Sequence, residues 1–171
     1  MPTAHHGAPE EEAWLRDNAI AAARGMISRL RPDDTVSIVT YAGSTGVALE
    51  PTPVSEAETI RAVIESFSAG GSTAGAAGID LAYEQAEAAF IEGGFNHVIL
   101  CTDGDFNVGM TGDALVAEVA SWRDQGITLS VLGFGGQFND GFLEELTNQG
   151  NGNYAFVDSP NEALRVLSEN V

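Results

Sequence analysis

Lysine is absent from this chain. All seven basic residues are arginines, and they face 25 acidic residues, for a formal net charge of −18 over 171 residues. Without lysine there is no Schiff-base nucleophile and no phosphate-binding P-loop lysine. Cysteine is nearly absent as well. Cys101 stands alone, so no internal disulfide forms and the redox compartment is not legible. Cys101 lies in the apolar run HVILC, which predicts a packed, unreactive thiol. No apolar run approaches the roughly 20 residues that span a bilayer, so no membrane insertion by this chain is expected. The opening stretch MPTAHHGAPEEE has neither a basic nor an apolar region of the kind a signal peptide needs. Its His5-His6 pair reads as part of a solvated tail. No Gly-x-Gly-x-x-Gly joins a strand to a helix. Gly-x-Ser-x-Gly is missing too, the nearest run being Gly43-Ser44-Thr45-Gly46.

What the chain has in excess is negative charge, spread over every predicted helix. Such a field repels phosphate backbones and excludes nucleic acid as a partner. It suits cations, basic partners or a salty medium, and it also suits a plainly solvated acidic surface.

Apolar periodicity divides the chain into alternating elements. Glu10–Leu30 reads as an amphipathic helix with Trp14, Leu15, Ile20, Ala23, Met26, Ile27 and Leu30 along one stripe. Thr35–Tyr41 is a β-branched strand, and a short strand starting at Val47 is expected to end at Pro51 and Pro53, at a sheet edge. Ser55 and Glu58 stand at capping-box spacing before a helix to Phe67. Helices are predicted over 76–91, 113–125, 140–149 and 160–170, with buried strands over 97–102 and 127–134 and a further strand over 153–157. Gly126 is placed as a helix stop. The alternation predicts an α/β fold: a doubly wound, mostly parallel sheet with helices on both faces. Residues 1–9 read as a disordered tail and 10–171 as one domain. The oddity is the opening helix, since a doubly wound fold ordinarily begins with a buried strand.

Two loops carry chemistry. Gly70-Gly71-Ser72-Thr73-Ala74-Gly75 precedes a helix, and Thr102-Asp103-Gly104-Asp105-Phe106-Asn107 follows a buried strand. The Thr73 hydroxyl and the Asp103 carboxylate are hard oxygen donors suited to Mg²⁺, Mn²⁺ or Ca²⁺. Each loop also has a plain structural reading, the first as a helix N-cap and the second as a turn.

Together with VSIVTYA (36–42) and SVLGFG (130–135), these loops resemble the von Willebrand factor A (VWA) domain. More narrowly they resemble bacterial VWA proteins, in which the domain sits in a larger, often exported or lipid-anchored chain. The likeness covers about residues 12–171. It implies that Thr73 and Asp103 are ligands of a Mg²⁺ or Mn²⁺ at a metal-ion-dependent adhesion site. It also implies that the ion's open position takes a carboxylate from a partner protein, and that the domain binds rather than catalyses. Ser72, Asp105, Phe106 and Phe138 are then placed at the partner contact. The family points to the cell envelope or the outside of the cell.

The chain departs from the family pattern at one place. That pattern begins with a central strand carrying Asp-x-Ser-x-Ser, and nothing of the kind precedes Glu10. The domain is therefore read as truncated, with weak or no metal binding by this chain alone. The strands over 35–41 and 97–102, which would flank the missing strand, are left to close up, to accept a strand from upstream, or to self-associate through the gap. Two other readings stand beside this one. One is a structural scaffold with a degenerate site. The other is a Mg²⁺-dependent Asp-x-Asp phosphatase built on Asp103 and Asp105, against which the absence of lysine weighs.

Overall fold

A computed structural model describes residues 9–41, 45–67, 75–102, 112–134 and 140–157, together with 161, 162 and 165. Helix α1 covers Pro9–Ile27, and strands β1 (Thr35–Thr40) and β2 (Gly46–Pro53) follow. A 3-10 turn at Val54–Glu56 leads into α2 (Ala57–Glu65). Then come α3 (Gly75–Ala88), β3 (Asn96–Thr102), α4 (Gly112–Asp124), β4 (Ile127–Phe134), α5 (Asp140–Gln149) and β5 (Tyr154–Val157).

The strands form two separate sheets among the described residues. β1 and β2 pair antiparallel, while β3, β4 and β5 make a parallel sheet in that order. The β3–β4 register runs unbroken from Asn96 opposite Ile127 to Thr102 opposite Gly133.

Side-chain alternation sorts the core into layers. Val98 and Leu100 of β3 and Ile127, Leu129 and Val131 of β4 face α3, α4 and α5, meeting Ile79, Tyr83, Leu115, Val119, Leu143 and Leu146. The other faces of these strands present Ile99, Leu132 and Phe134 to Ala22 and Met26 of α1. The same helix buries Ile20, Ala23 and Ile27 against β1, β2 and α2, with Leu49, Val54, Ile60 and Ile64 at the centre of that cluster. Thus α1 lies under both sheets, and α3 packs over β1, β2 and β3 on the opposite side. Two layers of helix hold together what backbone pairing does not.

Several sequence expectations need correction. β2 does not stop at Pro51 but runs through it to Pro53. Among the described residues only β1 pairs with it, so β2 is an edge strand as expected and a proline lacking an N–H is tolerated on its outer side. The bulges between Val36, Ile38 and Val39 absorb the misfit. The Ser55–Glu58 capping box is not formed. Ser55 lies inside the 3-10 turn with its N–H donated to the Pro32 carbonyl, and α2 starts from Glu56 without a side-chain cap. Cys101 keeps exposed surface on the side of β3 where no strand lies among the described residues, while burial around its thiol pushes it up to about 11, in keeping with an unreactive sulfur. The side chains of Trp14 and Leu15, and residues 1–8 and most of 160–170, lie outside the described residues.

Candidate functional site

The carboxyl ends of β1, β3 and β4 meet at one edge of the molecule. Thr102 and Gly133 are level across β3 and β4. The hydroxyl of Tyr41, the residue after β1, donates to the backbone carbonyl of Cys101 near the end of β3. The carboxyl ends of β1 and β3 therefore lie close together. A whole tyrosine side chain joins the two strands there, where directly paired strands would lie about 4.8 Å apart and bond backbone to backbone. The Tyr41 side chain also packs hard against α3. A Cβ added at Gly78 would lie 2.6 Å from the Tyr41 Cβ, so glycine is what lets the helix come this close.

Helices α3, α4 and α5 begin after the loops that leave this edge, at Gly75, Gly112 and Asp140. Their N-terminal N–H groups give the edge a positive partial charge in a strongly acidic protein. Buried Thr102 closes β3 immediately before Asp103, and Phe134, also buried, closes β4. The candidate metal ligands Thr73 and Asp103 lie outside the described residues, as do the candidate contact residues Ser72, Asp105, Phe106 and Phe138. The elements that carry them are described, and both flanking elements, β3 and α3, terminate at the same edge.

The described part of this edge does not by itself make a shell for a divalent ion. Of its side-chain oxygens, the Tyr41 hydroxyl is committed to Cys101 and the Thr102 hydroxyl is buried. No group of three or more His, Cys, Asp or Glu side chains suited to a metal occurs among the described residues. Magnesium parts with its waters reluctantly and needs about six oxygens, so the ligands have to come from the loops.

At the opposite end of the sheet the polar groups are already paired. His97 bridges Thr128 Oγ1 at 2.5 Å and Ser130 Oγ at 3.0 Å, and Ser130 Oγ also accepts the Asn153 N–H. Burial pushes the His97 imidazole down to about 4, so it is neutral across the ordinary range and ties β3 to β4. Its ring stacks on Phe95 at a centroid distance of 4.9 Å. These contacts commit His97, Thr128 and Ser130 to holding the strands together.

The comparisons agree with this geometry. The model of the von Willebrand factor type A domain matches residues 12–170. The chain belongs to the VWA family. It is 42% identical over 145 residues to the uncharacterized protein YfbK of Escherichia coli, a match covering 84% of this chain and 25% of YfbK, so the VWA chain spans about a quarter of that relative. The structure of the conserved hypothetical protein BatB from Bacteroides thetaiotaomicron superposes with a TM-score of 0.76 at 23% identity, covering 90% of this chain and 85% of BatB. The proximal thread matrix protein 1 of mussel byssus, described with zinc occupying its MIDAS motif, superposes with a TM-score of 0.71 at 19% identity, covering 94% of this chain and 43% of that one. At these identities the two structures speak for the fold alone, a VWA-type α/β arrangement.

Sequence reasoning missed two features. The first is the Tyr41 link, since a tyrosine at a strand end reads simply as core. The second is a pair of carboxyls between α3 and α4, Asp80 and Glu118, each of which alone looks like a solvated helix charge.

Proposed function

We propose that this chain is a protein-binding VWA module with a partial metal-ion-dependent adhesion site, in which Thr73 and Asp103 supply two oxygen ligands for Mg²⁺ or Mn²⁺. The remaining ligands belong to a strand that occupies the slot between β1 and β3, lies upstream in the natural protein and carries the Asp-x-Ser-x-Ser of the family pattern. In this reading residues 10–171 are the part of the domain that follows that strand, and residues 1–9 are a tail. Without the strand the chain alone holds metal weakly or not at all. Ser72, Asp105, Phe106 and Phe138 surround the ion and meet a protein partner that offers a carboxylate to its open position. The zinc described in the byssus protein is consistent with such a site. No reaction is assigned to the chain, which lacks the lysine that an Asp-x-Asp phosphatase uses to hold its phosphoryl group.

One observation carries this reading. Among the described residues β1–β2 and β3–β4–β5 form two sheets, joined at the carboxyl ends of β1 and β3 by the Tyr41 hydroxyl, with α1 packed against both and α3 in contact with β1, β2 and β3. Among the described residues neither β1 nor β3 has a strand paired on the edge toward the other, and buried backbone groups left without a partner are costly.

Thermal melts in EDTA and in millimolar Mg²⁺ or Mn²⁺ test it. This chain alone is expected to show no metal-dependent shift. The chain extended upstream through an Asp-x-Ser-x-Ser strand is expected to rise by roughly 5–10 °C at a hundredfold excess of metal over Kd, with the rise lost in Asp103→Ala. An extended chain indifferent to metal would remove the adhesion-site reading and leave the scaffold. A rise in the short chain, lost in Asp103→Ala, would show that the loops suffice.

A further inference from the structure

Phe90, Ile91 and Phe95 lie in the turn from α3 to β3, at the end of the molecule opposite the candidate adhesion edge. They are 42%, 46% and 66% exposed. The turn that holds them out is braced. The Asn96 carboxamide accepts the Ile91 N–H and donates to the Ile91 carbonyl, both at 2.9 Å, so the two ends of the turn are clasped together. The Gly94 N–H donates to the same carbonyl at 3.0 Å, and Gly93 takes a φ of +74°, open to glycine without strain. The Phe90 ring lies against Gly126, where an added Cβ would meet it at 3.3 Å. Phe95 stacks on His97, whose ring is itself fixed by Thr128 and Ser130. Three large apolar groups are thus held in place facing water. One exposed apolar side chain is ordinary, but three on a rigid turn mark a contact surface.

The charge around them has a single sign. Residues 84–96 hold three glutamates and no basic residue. α3 ends at Ala88 with no basic residue in its last turn, and Glu87 stands there instead. A helix C-terminus carries negative partial charge, so a cation stabilises it and a carboxylate does the reverse. Glu87 and Glu92 are exposed and make no ion pair among the described residues. Arg123, the arginine of the neighbouring α4, is taken up by Asp124 and by the Gln149 carbonyl. The surface lacks both an apolar cover and a cation.

We propose that this turn is a docking site for a basic amphipathic segment of a partner protein. Its apolar side chains seat on Phe90, Ile91 and Phe95, and its arginine or lysine meets Glu87, Glu92 and the carbonyl end of α3. Charge selects the occupant. A second copy of this chain brings another formal charge of −18, and an anionic lipid surface meets the same repulsion. A basic amphipathic segment supplies the cover and the cation together. The clasped turn is already ordered, so little freedom is lost on its side of the contact. The site shares no residue with the proposed adhesion site and needs no metal, so the failure of either leaves the other standing.

The test titrates this chain, in EDTA, with a labelled synthetic helix that carries leucines at i, i+3, i+4 and i+7 and arginines on both flanks. A control helix keeps the arginines and has glutamine in place of every leucine. The leucine helix is expected to bind roughly tenfold more tightly than the control, and the double variant Ile91→Ser, Phe95→Ser to lose that advantage. Glu87→Gln is expected to weaken binding at low salt without lowering the Tm of the free chain, since it relieves the charge at the end of α3. Equal binding of the two helices would reduce the contact to general attraction toward an acidic surface and overturn the docking site. So would a leucine helix that binds the double variant as well as wild type. Should the double variant not fold, amide NMR shifts of the wild-type chain decide. Shifts centred on residues 90–96 and 126 support the site, and shifts centred on Thr102 and Gly133 or spread over the surface remove it. Wild-type self-association in sedimentation that the leucine helix does not displace would make the occupant a second copy and remove the basic partner.

Discussion

β4 and β1 are both β-branched, apolar strands, yet they stand in opposite circumstances. β4 is buried at seven of its eight residues and bonded on both edges. β3 lies along one side, and β5 and the turn before it lie along the other, where Leu129 N–H reaches the Gly150 carbonyl and Val131 N–H the Asn153 carbonyl. β1 has no fully buried residue and, among the described residues, pairs only with β2, with the Tyr41 hydroxyl as a link toward β3. What separates them is neighbours, because a strand's burial and rigidity come from the backbone on both edges and the helices on both faces. The slot side of the molecule, β1 with the outer edge of β3, is accordingly where the fold has room to change and where a further strand would be felt.

The same steric insult should read differently on the two sides. At Gly152 an added Cβ would lie 1.8 Å from the Leu129 carbonyl oxygen, inside the backbone of the doubly paired region. Gly152→Ala is expected to cost about 3 kcal/mol in urea denaturation, near the upper end for overpacking. At Gly78 the added Cβ meets the Tyr41 side chain at the slot, where β1 is held on one edge only. Gly78→Ala is expected to cost about 1–2 kcal/mol, since the strand can shift away. Equal costs would mean that the slot is as rigid as the paired sheet, and the contrast would fail.

A second test probes how β3 is tied to β4. His97 is neutral in the fold and charges more readily once unfolded, so stability is lost as pH falls from about 6.5 toward 4. Over that span wild type should lose roughly 3 kcal/mol relative to His97→Gln, which cannot charge. Chemical denaturation at a series of pH values gives the difference. A constant difference would show that the joint does not depend on the neutral imidazole.

The smallest expected effect sharpens the other side. Tyr41→Phe removes the one hydroxyl link from β1 to β3 and should cost about 1 kcal/mol in this chain. In a chain whose slot is filled by a strand, the Cys101 carbonyl would have a backbone partner, and the same substitution should be close to neutral. A neutral result in the short chain would make the link incidental.

The element pattern was legible because it is local. β4 over 127–134 and α5 over 140–149 follow from apolar runs and helical periodicity alone, and Gly126 ends α4 with φ at +93°, a conformation glycine adopts without strain. The candidate ligands Thr73 and Asp103 were named from residue chemistry and from resemblance to the VWA family. They lie outside the described residues.

Other features depended on contacts between distant segments and could not be read in advance. Pro51 looked like a strand end, but only the pairing of β2 with β1 decides which of its edges is outer. Cys101 sits in an apolar run that signals burial, yet its exposure depends on a neighbouring strand. Asp80 and Glu118 are 38 positions apart and each reads as an ordinary helix charge. Helix packing brings them near each other, and partial burial together with nearby Asp80 pushes the Glu118 carboxyl up to about 7. The sequence by itself determined which segments are helix and strand, because periodicity acts over a few residues. The tertiary structure alone decided which edges stay open and which charges lose their water, because both depend on what the fold brings alongside.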